Sequence, residues 1–103
     1  MRDEVLSIAF VRPEAGKEEE CIAVLWDLYR ALHRKNYSRD ILYRDVNDPH
    51  LLVNLRYWKS PDARREAQED PEIHRHWLRL GQICKVEQVR EELQPISFSE
   101  DAS

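Results

Sequence analysis

Three side chains at alternate positions, Asn54, Arg56 and Trp58, are the residues whose types and spacing suggest chemistry. They lie in the stretch 51–58, LLVNLRYW, where alternation predicts a strand. Leu51, Val53, Leu55 and Tyr57 fall on one face, which is apolar throughout. Leu52, Asn54, Arg56 and Trp58 fall on the other. A strand with one apolar face usually turns its other face to water. Leu52 and Trp58 argue that this second face is at least partly covered. Covered polar groups need partners, so Asn54 and Arg56 are expected to line a cavity or an interface. The alternative is a solvated edge on which Arg56 makes a salt bridge. His74 and His76 lie further along. They are two apart, so on a helix they face different ways, whereas a metal-binding pair prefers a spacing of four. No metal site is expected.

The elements that position these residues are legible in order. Residues 5–11 form a strand that is apolar on both faces apart from Ser7, the pattern of a central strand covered twice. A turn follows at Arg12-Pro13-Glu14-Ala15-Gly16. Residues 17–35 form the clearest helix, with Cys21, Val24, Leu25, Leu28 and Leu32 on one stripe and Ile22, Trp26 and Tyr29 widening it. Glu18 to Glu20 at its start and His33, Arg34 and Lys35 at its end complement the helix dipole. Asn36 is a plausible terminator. A second strand lies within 37–46, firmest at 41–46, and Asn47-Asp48-Pro49-His50 turns the chain into the strand that carries Asn54. Ser60 and Pro61 open a helix, Ser as N-cap and Pro at the first helical position. Pro71 breaks or kinks it. A second helical piece carries Ile73, Trp77, Leu80 and Ile83 or Cys84 on one stripe. A last strand is expected over 85–93, and 97–103 as a polar tail.

The order is β-α-β-β-α-β: an α+β, ferredoxin-like arrangement of a four-stranded antiparallel sheet with two helices on one face. Its 103 residues suit a single domain with a core of about 4–96. Charged residues make up 35% of the chain and hydrophobic ones 42%, an ordinary globular composition. The net charge of −4, with bases interleaved among acids, argues against a nucleic-acid partner. No apolar run approaches a membrane span. The N-terminus lacks a signal-peptide pattern, so a cytoplasmic location is expected. Cys21 and Cys84 have no CxxC spacing and read as buried free thiols.

Val53-Asn54-Leu55-Arg56-Tyr57-Trp58-Lys59-Ser60, within this element order and length, resembles the antibiotic biosynthesis monooxygenase domain family of the dimeric α/β-barrel superfamily. The resemblance covers about residues 4–96. It implies a homodimer in which two sheets pack face to face as an α/β barrel. In the branch that forms polyketide quinones, an Asn and a Trp four residues apart end strand three, as Asn54 and Trp58 do here. Those enzymes oxidise phenolic substrates with O₂ and no metal or flavin. The resemblance therefore implies catalytic roles for Asn54 and Trp58, with Arg56, if on the same face, placed to stabilise a phenolate; Tyr43 is a further substrate-contact candidate, its simpler reading being a core residue. Six residues after Trp58, where that branch carries an aromatic residue, this chain has Arg64. In the haem-degrading branch an Asn, a Trp and a His ligand matter. Only the histidine matches, at His76; the others fall near Ser7 or Ala9 and at Ala67. His76 is accordingly an acid/base or ligand candidate. The leading expectation is a cofactor-free monooxygenase acting on a small aromatic or quinol-type molecule. A non-catalytic dimeric binding or stress module is the alternative, and haem binding through His76 a third.

Overall fold

The structure is a computed structural model and describes residues 4–98. Its elements run β1 (Val5–Pro13), α1 (Glu18–Arg34), β2 (Ser38–Arg44), β3 (Leu52–Trp58), α2 (Pro61–Gln68), α3 (Pro71–Ile83) and β4 (Cys84–Leu93). The strands form one antiparallel sheet in the order β2-β3-β1-β4. This is the expected ferredoxin-like α+β fold, with the second helix split in two. Most of the expected polar tail, residues 99–103, lies outside the described residues.

The split has a local cause. The Ser60 hydroxyl accepts from the Ala63 N–H at 3.0 Å and starts α2, with Pro61 in the first turn. Pro71 has no N–H with which to continue α2. Asp70 before it restarts the chain, its carboxylate accepting from the Glu72 N–H at 2.9 Å. Lys35 at 2.7 Å and Tyr37 at 2.9 Å also reach that carboxylate, and together they hold it down at a pKa of about 2. Thus the junction between α2 and α3 is pinned to the end of α1. There Asn36 adopts the left-handed conformation, φ 64°, that closes the helix.

Alternation sets the two faces of the sheet. Register pairs Val5 with Trp58, Ser7 with Arg56, Ala9 with Asn54 and Val11 with Leu52. These positions face the helices, whose stripe of Cys21, Val24, Leu25, Leu28 and Leu32 is buried against them. The opposite face carries Leu6, Ile8 and Phe10 of β1, Val53, Leu55 and Tyr57 of β3, and Ile41 and Tyr43 of β2. No helix covers it. The strand face that is apolar throughout is therefore the uncovered one, and β1 is central but covered once among the described residues. Cys21 and Cys84, distant in sequence, meet in the core. The neighbouring Cys84 thiol, together with burial, pushes the Cys21 thiol well above its usual range.

Candidate functional site

Between the helix-facing side of the sheet and the helices lies a largely apolar cavity of about 230 Å³. Its floor is Ser7, Ala9 and Val11 of β1 with Asn54, Arg56 and Trp58 of β3. Leu25 and Leu28 of α1 and Trp77 and Leu80 of α3 roof it; Arg64 and Gln68 of α2 and Val86, Val89 and Glu91 of β4 close the remaining side. The three residues singled out on strand three thus share one cavity, because alternate strand positions share a face.

A polar row crosses the floor. Asp40 of β2 stands opposite Arg56, and Arg56 opposite Ser7. The Arg56 Nε–H donates to Asp40 at 2.6 Å, with side chains 12% and 1% exposed. Arg56 thus makes the salt bridge of the solvated-edge alternative, but on a covered face that lines the cavity and not on a solvated edge. Its guanidinium carbon lies 5.6 Å from the Trp58 ring centroid, within cation–π range. The Trp58 indole N–H donates to the Ser7 hydroxyl at 2.8 Å, and that hydroxyl donates to the Glu91 carbonyl at 2.6 Å. Trp58 thus offers the cavity a ring, while its donor is already used.

Asn54 is held from the other side. The Tyr29 hydroxyl donates to its Oδ1 at 2.5 Å. The amide is thereby oriented with its carbonyl towards Tyr29, leaving its N–H groups for the cavity it lines. Burial first, and then the Asp40 charge, push the Tyr29 phenol above its ordinary range, so it remains a neutral donor at physiological pH. Tyr29 and Asp40 also line an outer groove with Arg30, His33, Arg34 and Arg39. The pairs Tyr29–Asn54 and Asp40–Arg56 are the wall between that groove and the cavity.

The far side is closed by a bulge. Leu6 pairs with Leu93 and Ile8 with Arg90, so Glu91 and Glu92 together oppose Ser7. Arg64 bridges both carboxylates, at 2.6 Å to Glu91 and 2.9 Å to Glu92.

Two expected site residues lie elsewhere. Tyr43 pairs with Val53 on the uncovered face and is 54% exposed. Its neighbour Leu42, opposite Asn54, has the helix-facing parity. Tyr43 therefore cannot contact a molecule beside Asn54 without crossing the sheet. His76 is half-buried on α3 and does not line the cavity. The cavity-facing α3 positions are Trp77 and Leu80, and one residue of a helix turns about 100° from the next. No histidine, and hence no haem ligand of that kind, reaches the cavity among the described residues. Among those residues there is also no cluster of three His, Cys, Asp or Glu side chains able to hold a metal. No described helix is long and apolar enough to cross a membrane. Tyr29, Ser7 and Asp40 are the partners that sequence reasoning missed. Ser7, the lone polar residue of an apolar strand, was the available signal.

No protein-family model matches the sequence, and no curated protein matches it significantly. Solved structures do match. SnoaB, a cofactor-independent oxygenase from Streptomyces nogalater, superposes with a TM-score of 0.76 at 23% identity, over 91% of this chain and 97% of SnoaB. A protein from Chloroflexus aurantiacus assigned to the antibiotic biosynthesis monooxygenases gives 0.75 at 15% identity, over 96% and 99%. Rv0793 from Mycobacterium tuberculosis gives 0.72 at 19% identity, over 91% and 99%. The chain has the fold of the antibiotic biosynthesis monooxygenases.

Proposed function

We propose that this chain is a single-domain, homodimeric, cytoplasmic oxygenase of the antibiotic biosynthesis monooxygenase type, oxidising a small phenolic or quinol-type molecule with O₂ and no bound cofactor. The observation that carries the reading is the cavity floor: Asn54, Arg56 and Trp58 converge on one largely apolar space with an oriented amide, a guanidinium and an aromatic ring. An apolar cavity with a few convergent polar groups is the usual form of a small-molecule site.

The chemistry follows from those groups. A planar phenol stacks on Trp58. The Asn54 N–H groups bond a ring oxygen, and the Arg56 guanidinium favours its ionised form. The resulting phenolate, or the carbanion conjugated with it, passes an electron to O₂. Oxidation of a ring CH₂ to C=O then consumes one O₂, leaving one oxygen atom on the ring and releasing the other as water. Tyr29 keeps Asn54 in register, and Asp40 holds Arg56 in place.

The test is O₂ consumption with a panel of anthrones and hydroquinones. Asn54→Ala is expected to lower kcat/KM about tenfold or more, the cost of one well-placed hydrogen bond to a charged oxygen. Trp58→Phe is expected to loosen the Ser7 link and lower activity less. Unchanged turnover of every accepted substrate in both variants sinks the reading. A second reading, a binding module without catalysis, draws on the prior commitment of the Trp58 N–H and the Asn54 carbonyl inside the protein. It predicts ligand binding with no O₂ uptake.

A further inference from the structure

The polar lining of the cavity is one-sided. Arg56 and Arg64 bring guanidiniums to it, Asn54 keeps its N–H groups for it, and Glu91 is the one carboxylate among the described lining residues. The two guanidiniums differ in how they are neutralised. Arg56 has a buried partner in Asp40. The Arg64 side chain is only 15% exposed, yet its partners Glu91 and Glu92 are 69% and 57% exposed. Both carboxylates lie largely in water, so they regain hydration when Arg64 leaves them for another carboxylate. A carboxylate within the cavity would gain a planar, two-pronged contact in a more sheltered place. β3 and β4 flank β1, so the strands carrying Arg56 and Glu91 are separated by two strand spacings, roughly 10 Å. That separation suits the two ends of a fused-ring molecule.

We infer that Arg64 is a specificity-determining residue, selecting an aromatic substrate that carries a carboxylate at the end of the ring system remote from Arg56. Glu91 and Glu92 hold the guanidinium in place until that carboxylate replaces them. The inference rests on the reading of the cavity as a ring-binding site, but it does not require turnover. It also accounts for the departure at position 64: a guanidinium stands where the quinone-forming branch carries an aromatic residue, and the bulge in β4 supplies it with two carboxylates.

The test is calorimetric titration of the full chain with 6-hydroxy-2-naphthoate and with its neutral methyl ester. The acid is expected to bind about tenfold more tightly than the ester. Arg64→Gln is expected to abolish that preference by weakening the acid alone. Glu91→Gln removes a competitor, keeps the backbone carbonyl that Ser7 uses, and is expected to tighten the acid while leaving the ester unchanged. This gain cannot arise from misfolding. Equal binding of acid and ester by the unaltered protein, or a preference that survives Arg64→Gln, overturns the role of Arg64 and leaves the ring site standing. Binding of neither probe overturns both. Binding with the stated preference but no O₂ uptake on any substrate overturns only the oxygenase reading.

Discussion

Asp40 and Arg56 show how a single charge pair holds the floor of the cavity. Removing one partner of a buried pair leaves the other desolvated and unpaired, which costs more than the pair itself contributes. Asp40→Ala is therefore expected to destabilise the fold by about 3 kcal/mol, read as a lower urea midpoint. The double variant Asp40→Leu with Arg56→Met is expected to recover most of that loss. If the double variant is as unstable as the sum of its parts, the pair is not the cause. Neither this pair nor the Tyr29–Asn54 bond was visible in the sequence. Each joins elements that a local window cannot see together, and register decides which residues meet. Tyr43 illustrates the same limit: its ring chemistry suited a ligand, but its parity on β2 places it on the other side of the sheet.

Among the elements, the α2–α3 junction is held by several polar links. Asp70 caps α3, binds Lys35 and accepts from Tyr37. Its carboxyl is depressed from 3.8 to about 2, with Lys35 the main cause. A depressed acid stabilises the folded state above its unfolded pKa, and that stability disappears as pH falls through the folded value. Acid unfolding should accordingly steepen as pH falls from 3.8 to about 2. Asp70→Asn is expected to flatten that stretch, while Asp70→Ala should cost about 1–2 kcal/mol at neutral pH through loss of the cap. An unchanged acid profile in Asp70→Asn refutes the assignment. Here the sequence was informative about Ser60-Pro61 as a helix start and Pro71 as a break, while the Asp70 cap emerged only in the structure. The break at Pro71 was therefore legible, as was the buried stripe of α1. Strand limits moved by a few residues, since ladder hydrogen bonds and not composition end a strand. β2 runs over Ser38–Arg44, ahead of its firmest apolar stretch, because Ser38 pairs with Trp58.

At the scale of the molecule, the uncovered face of the sheet matters most. Leu6, Ile8, Phe10, Val53, Leu55 and Tyr57 share this face, and among the described residues no helix lies above it. Contiguous patches of this kind mark interaction surfaces. A second copy packed sheet to sheet would cover it, as the resemblance to dimeric barrels implies. Phe10→Glu is expected to give a monomer by light scattering and to remove the rise of Tm with protein concentration that a dimer shows. A dimer that persists in this variant places the contact elsewhere.

The thiol contact of Cys21 and Cys84 also has a practical use. Both sulfurs lie in the core cluster with Leu25 and Leu80, which roof the cavity. An alkylating reagent meets them only when that part of the core opens. Where closing outruns labelling, the labelling rate follows the opening equilibrium. The chain thus carries its own stopwatch for cavity opening, and any molecule that settles in the cavity should slow it in proportion to how tightly it is held.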